Sequence, residues 1–206
     1  MGWYENRVLP HMINMACSAE ANQKQREKIV PLAQGEVLEI GFGSGLNTSF
    51  YDPARVDKIW TLEPSAGMRR KAQPVIDNCT LEIEFIELPG EEIPLDSDSV
   101  DTVLMTYTLC TIPDASSALQ GMRRVLKPGG HLLFCEHGMA PDAGVNRWQN
   151  RLNPLWKKIA GGCNMNRDIP GLIQSAGFDL LTDRRMYIPG PRVLCYNFWG
   201  DAEATT

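Results

Sequence analysis

The stretch Val37-Leu38-Glu39-Ile40-Gly41-Phe42-Gly43-Ser44-Gly45 constrains this chain more than any other, because an apolar strand runs there into a turn with glycine at alternate positions. Glycine tolerates positive φ and has no Cβ, so the backbone can bend sharply and come close to a ligand. The spacing predicts a helix opening at Gly45-Leu46-Asn47, whose free amides and dipole would face a carboxylate or phosphate. Glu63 closes the next predicted strand, Lys58-Ile59-Trp60-Thr61-Leu62, and stands 18 residues after Gly45. That is close to the roughly 20 residues at which an acid reaches the ribose hydroxyls of a nucleoside-bearing cofactor. The third glycine falls one residue early for the dinucleotide pattern Gly-x-Gly-x-x-Gly, which argues against NAD.

From residue 36 onward, strands and helices alternate, the pattern of a parallel α/β sheet. Strands are expected at Glu36–Ile40, Lys58–Leu62, Leu81–Glu87, Thr102–Tyr107 and His131–Cys135, with a helix over Ala115–Leu126. Asp114 is placed to cap that helix. Two helices precede the first strand, within Tyr4–Cys17 and from Ser18 or Ala19 to Leu32. After Asp142 the alternation lapses into a helical stretch at Val145–Ala160 and a short helix near Ile169–Ala176. Two closing strands, Phe178–Tyr187 and Val193–Trp199, are joined through Pro189-Gly190-Pro191, and Asp201–Thr206 reads as a disordered tail.

With 206 residues, one domain is expected. The net charge of −5 offers no electrostatic footprint for nucleic acid, and no segment approaches the ~18 apolar residues of a bilayer span. The cysteines at 17, 79, 110, 135, 163 and 195 form no Cys-x-x-Cys pair, and three histidines are dispersed among them, so reduced thiols and no metal are expected.

The pattern Glu-x-Gly-x-Gly-x-Gly resembles the first motif of class I S-adenosylmethionine (SAM) methyltransferases; Leu62-Glu63-Pro64 is similar to their acidic ribose-binding loop. Arg123-Arg124-Val125-Leu126-Lys127-Pro128-Gly129-Gly130 matches the turn before their fifth strand. The resemblance implies a Rossmann-like, seven-stranded, mostly parallel sheet with a C-terminal antiparallel hairpin and helices on both faces. It divides the single domain into cap helices (1–34), a SAM-binding core (35–142), a substrate-side insertion (143–177) and terminal strands (178–200). SAM is the implied cofactor and S-adenosylhomocysteine its product. Glu39 would serve the methionine end; Gly41, Phe42, Gly43, Gly45 and Asn47 the cradle; Glu63 and Pro64 the ribose. Gly90 and Glu91 are the candidates for the adenine, because Pro89 stands where many relatives carry an aspartate. Thr108 and Leu109 would line the cofactor beneath the sulfonium.

A narrower resemblance rests on Pro89-Gly90-Glu91, Thr108-Leu109-Cys110, Phe134-Cys135-Glu136-His137, Trp148-Gln149, Pro154-x-Trp156 and Gly162-Cys163-Asn164-x-x-Arg167. Together these are similar to the thiol S-methyltransferases of the type 11 methyltransferase domain, the methyltransferase-like proteins of microsomes and lipid droplets. The implied acceptor is a small molecule, a thiol before an amine or lipid head group. The alternatives are an N-methyltransferase acting on a lipid head group or quinone-type substrate, and a SAM-binding module without turnover. Animal members begin with a hydrophobic anchor that the start Met-Gly-Trp-Tyr-Glu-Asn does not resemble, so a cytoplasmic enzyme without stable membrane insertion is expected.

A thiol of pKa about 8.5 is already a few per cent thiolate at pH 7 and needs little base catalysis. His137 can accept a proton or orient its loop. Trp148 and Trp156, eight residues apart, can form a substrate wall or pack in the core. Cys110 and Cys163 would line the pocket without acting as nucleophiles. Arg167 can hold an anionic substrate group or pair within the fold, and Tyr4 and Arg7 can close the cleft or merely pack.

Overall fold

The computed structural model describes residues 8–205; the roles expected of Tyr4 and Arg7 lie outside them. The elements run in the order α1 (Leu9–Cys17), α2 (Glu20–Ile29), β1 (Gly35–Ile40), β2 (Val56–Leu62), α3 (Ala66–Ile76), β3 (Ile83–Ile86) and β4 (Val100–Thr106). After these come α4 (Ala115–Val125), β5 (Leu126–His137), α5 (Ala143–Ile159), α6 (Ile169–Ser175), β6 (Phe178–Tyr187) and β7 (Tyr196–Ala204). The strands form one seven-stranded sheet in the order β3-β2-β1-β4-β5-β7-β6. β1 to β5 are parallel, and β7 runs antiparallel between β5 and β6.

Burial on both faces explains why the central strands are so apolar. Val37, Leu38 and Ile40 of β1 and Val103, Leu104 and Met105 of β4 are all buried. One apolar layer joins Leu38, Ile40, Val103 and Met105 to α4 and α6, and a second joins Val37 and Leu104 to Ile29 and Val30 at the end of α2. In α4 the residues Ala115, Ala118, Leu119, Met122 and Val125 recur at helical spacing and are the ones buried. Asp114 caps it, its carboxylate accepting from the Ser117 N–H at 3.0 Å. Among the described residues, no helix is long and apolar enough to cross a membrane.

Three local expectations are corrected. The glycine turn does not open into an α-helix: only a 3₁₀ turn, Thr48–Phe50, comes between it and Asp52-Pro53 before β2. Few residues separate Gly45 from Pro53, and a proline disfavours helical backbone in the residue before it. The expected strand at Leu81–Glu87 shortens to Ile83–Ile86 at the sheet edge. The last strand starts later and runs on through Asp201–Ala204 in place of a disordered tail, because Ala202 is wholly buried and Asp201, Ala202 and Glu203 pair with β5 on one side and β6 on the other.

Candidate active site

A cavity of about 510 Å³ opens at the carboxyl ends of β1, β2 and β4, where parallel sheets place their ligands. Its floor is Ile40-Gly41-Phe42-Gly43-Ser44, one side is Leu62-Glu63-Pro64-Ser65 and the other is Thr106-Tyr107-Thr108. Pro89-Gly90-Glu91, α1 and Gly161-Gly162 complete the enclosure. Ser44 Oγ donates to Asn14 Oδ1, tying α1 to the glycine turn.

The glycines act differently. Gly41 has φ +75°, and a Cβ there would stand 2.5 Å from the Thr108 side chain. Gly43 has φ +61°, and a Cβ would meet only Met68 Cε, at 3.9 Å. The room beside Gly43 belongs to the cavity, so a ligand can pass close to this backbone. Glu63 holds the turn in place, with Oε2 accepting from the Gly43 N–H and Oε1 from the Ser65 N–H, both at 2.8 Å. Burial raises its pKa against these two bonds. Each oxygen keeps a lone pair for a further donor, such as a ribose hydroxyl.

Glu39, expected to serve the methionine end, stands one layer behind the cavity wall as a support. It is 1% exposed and does not line the cavity; Oε1 accepts from Asn47 Nδ2 at 2.8 Å and Oε2 from the Tyr51 hydroxyl at 2.6 Å. Burial pushes its pKa up to about 7, against the opposing bonds from Tyr51 and Asn47 and the Arg26 charge. Asn47 does line the cavity and passes the connection on, accepting from Arg26 Nη1 at 2.8 Å. Arg26 also donates to Thr106 Oγ1 at 2.5 Å and stacks 5.1 Å over the Tyr107 ring, yet its buried Nε has no partner. A buried guanidinium at the cavity wall with a donor to spare suits a carboxylate. Sequence reading missed Arg26, although its place three and four residues before the buried Ile29 and Val30 puts it on the inward face of α2.

Tyr107 was missed too. It has φ +55°, unusual for a bulky residue, where β4 ends in the cavity wall. The Tyr107 N–H donating to Cys135 O at 2.8 Å and the hydroxyl donating to Asn197 Oδ1 at 2.7 Å hold that turn. Glu136 fixes the next two residues, its Oε1 accepting from the Thr108 N–H at 2.6 Å and the Leu109 N–H at 2.8 Å.

Of the cofactor residues expected from sequence, Gly41, Phe42, Gly43, Asn47, Glu63, Pro64, Gly90, Glu91 and Thr108 line the cavity. Gly45 and Leu109 do not: Gly45 turns toward Val75 and the Phe42 ring, and Leu109 is wholly buried. The substrate wall needs more correction. Trp148 is 54% exposed, with Arg151 over its ring at 5.7 Å, and neither it nor the half-buried Trp156 reaches the cavity. Eight residues at ~100° each leave two side chains about 80° apart around a helix, so they do not share a face. The inward residue of that pair of motifs is Gln149. It accepts from the Ala140 N–H and donates to the carbonyls of Gly138, Met165 and Val193, binding α5 to the segments that follow β5 and precede β7. Arg167 donates to the Leu109 carbonyl and lies in a separate cleft beside Pro113 and Asp168.

Cys110, His137 and Cys163 converge, although far apart in sequence, but behind the cavity wall and not on it. His137 Nε2 is 3.2 Å from Cys163 Sγ, which is 3.8 Å from Cys110 Sγ. The hydrogen bond with Cys110, with the His137 charge adding to it, pulls the Cys163 thiol well below its ordinary value. Burial works to lower the His137 pKa, and the Cys163 sulfur outweighs it and raises it.

The chain matches the model of a methyltransferase domain family over residues 38–134. It is 33% identical over 174 residues to thiol S-methyltransferase TMT1B of Homo sapiens, covering 79% of this chain and 70% of that protein. To human thiol S-methyltransferase TMT1A it is 31% identical, covering 77% of this chain and 66% of the relative. Its fold superposes with a TM-score of 0.71 on a chain from the complex between the Haloferax volcanii Trm112 methyltransferase activator and a methyltransferase. That match is 16% identical in sequence and covers 98% of this chain and 96% of the other.

Proposed function

We propose that this chain, which belongs to the class I SAM-dependent methyltransferases, methylates a small thiol. The observation that carries the choice of acceptor is the 33% identity to a protein named as a thiol S-methyltransferase, over most of this chain.

The cavity fits the cofactor. SAM supplies a methyl group on a sulfonium, open to in-line displacement by a thiolate. Arg26, with its Nε unpartnered, would take the methionine carboxylate, and the Asn47-Glu39-Tyr51 network holds Arg26 and Asn47 still. Glu63 receives the ribose hydroxyls while it pins Gly43, whose missing side chain leaves room for the cofactor. Gly90 and Glu91 border the adenine end. Glu136 keeps the turn at Thr108 fixed on the cavity wall, where it would border the cofactor. Fixing the two partners in line is worth up to ~7–11 kcal/mol in well-oriented reactions, so positioning carries most of the catalysis.

His137 is withdrawn as a base. It does not line the cavity, and its Nε2 is engaged with Cys163. The acceptor's proton leaves to solvent, which a thiol permits. Incubating the protein with methyl-labelled SAM and panels of thiols, amines and quinols tests the reading. Methyl thioether should form, with the rate below saturation rising with pH up to the free thiol's own pKa. Turnover of an amine or quinol, with no thioether from any thiol, would overturn the acceptor and leave the family assignment standing.

A further inference from the structure

Cys110 lies just after β4, His137 ends β5 and Cys163 lies just after α5, so only the folded chain brings them together. Their ligand atoms all lie within 4.8 Å of one another. Around a tetrahedral zinc ion with Zn–S ~2.3 Å and Zn–N ~2.0 Å, two sulfurs stand ~3.8 Å apart and a sulfur and a nitrogen ~3.5 Å. Here Cys110 Sγ and Cys163 Sγ are 3.8 Å apart, and Cys163 Sγ and His137 Nε2 are 3.2 Å apart. These two spacings lie within a few tenths of an ångström of the tetrahedral values, and the third pair lies within 4.8 Å.

The backbone holds this arrangement in advance. Asn164, next to Cys163, donates to the Cys110 carbonyl through its backbone N–H and through Nδ2, both at 2.9 Å. The Met139 N–H donates to Arg167 O at 2.8 Å, and Arg167 donates to Leu109 O, so the three ligand-bearing segments are stitched to one another. Sites held by such supports need little rearrangement to bind. The neighbourhood is also short of partners. Among the described residues, His137 Nδ1 and Glu136 Oε2 are buried side-chain atoms without a hydrogen bond. Nδ1 has no protein partner and the one bond of Nε2 is to the Cys163 sulfur, itself a ligand of the set, so a metal entering between them would take the Nε2 lone pair while Nδ1 carries the proton.

We propose that Cys110, Cys163 and His137 bind one zinc ion. Two thiolates and an imidazole suit zinc and are the wrong donors for magnesium or calcium. Three protein ligands leave a fourth position open to water, the composition of zinc sites that are not purely structural. Binding takes both sulfurs as thiolates and fastens the loop after α5, whose Gly161 and Gly162 line the cavity, to the ends of β4 and β5. Zinc binding here is independent of which acceptor is methylated, since its test reads metal and not turnover.

The test is elemental analysis of the whole protein, expressed with zinc and purified under reducing conditions, and then replacement of the metal with Co²⁺. About one zinc per chain and an intense thiolate-to-cobalt charge-transfer absorption are expected. Cys163→Ser and His137→Ala should each lose the metal, whereas Cys79→Ser, on a thiol outside the cluster, should keep it. SAM binding measured on the same samples shows which variants are folded. Should the variants fail to fold, the wild-type chain decides alone: substoichiometric zinc together with no cobalt-thiolate band would overturn the proposal. Equal zinc in a folded Cys163→Ser protein and in wild type would overturn it as well.

Discussion

Two residues at the glycine turn separate a ligand contact from its support. Gly43 meets only Met68 Cε at 3.9 Å where a Cβ would stand, and it lies on the cavity wall at φ +61°. Gly43→Val therefore puts a branched side chain into the space for the cofactor and strains the turn. Calorimetry should detect no SAM binding to the folded variant; unchanged affinity would move the site elsewhere. Glu39 makes a different prediction because burial raises its carboxyl from 4.5 to about 7. The folded chain then holds a proton that the unfolded chain releases. Its contribution to stability is present below pH 4.5 and is lost as the pH rises through about 7. The loss is on the order of 3 kcal/mol. Glu39→Gln keeps an acceptor for Asn47 and removes the titration. Denaturant unfolding of the cofactor-free proteins at pH 5 and pH 8 should show wild type losing stability relative to the variant as the pH rises; parallel profiles would refute the shift.

At the scale of elements, the sequence is most legible where one periodicity runs without interruption. α4, with its apolar residues at helical spacing and Asp114 at its start, matches the expected helix to within a residue, because local spacing and burial agree there. The closing strand was legible only in part. Asp201-Ala202-Glu203-Ala204 is short and carries two charges, and what makes it a strand is a pair of neighbours that the local sequence does not reveal. Arg123 adds to this end of the sheet by donating to Thr205 O at 2.6 Å and to Gly177 O at 3.1 Å. Deleting residues 201–206 thus removes the last four of the nine residues of β7 and exposes the edges of β5 and β6. We expect a loss on the order of 3 kcal/mol or more, seen as a melting temperature lower by ~6–12 °C. A truncated chain that melts with the full one would return these residues to the status of a tail.

For the molecule as a whole, the cavity is a meeting of α1, α2, three strand ends and the loop after α5, so a ligand bound there should stabilise all of them at once. SAM at 100 times its Kd should add about 2.7 kcal/mol and raise the melting temperature by ~5–11 °C, whereas NAD should do neither. A melting temperature unmoved by SAM would count against the cavity as its site. By itself the sequence determined the nucleotide-binding half of this protein, because the glycine turn, the acid after it and the strand that carries each are contiguous, and their chemistry is a matter of local backbone. It did not determine the place of Arg26 on the cavity wall or the cluster behind that wall. Arg26 reaches Asn47 and Thr106 from a helix 21 and 80 residues away along the chain, and Cys110, His137 and Cys163 come from three separate elements. Tertiary structure alone decided these, since burial and the approach of distant side chains depend on how the sheet is covered and not on any one stretch of residues.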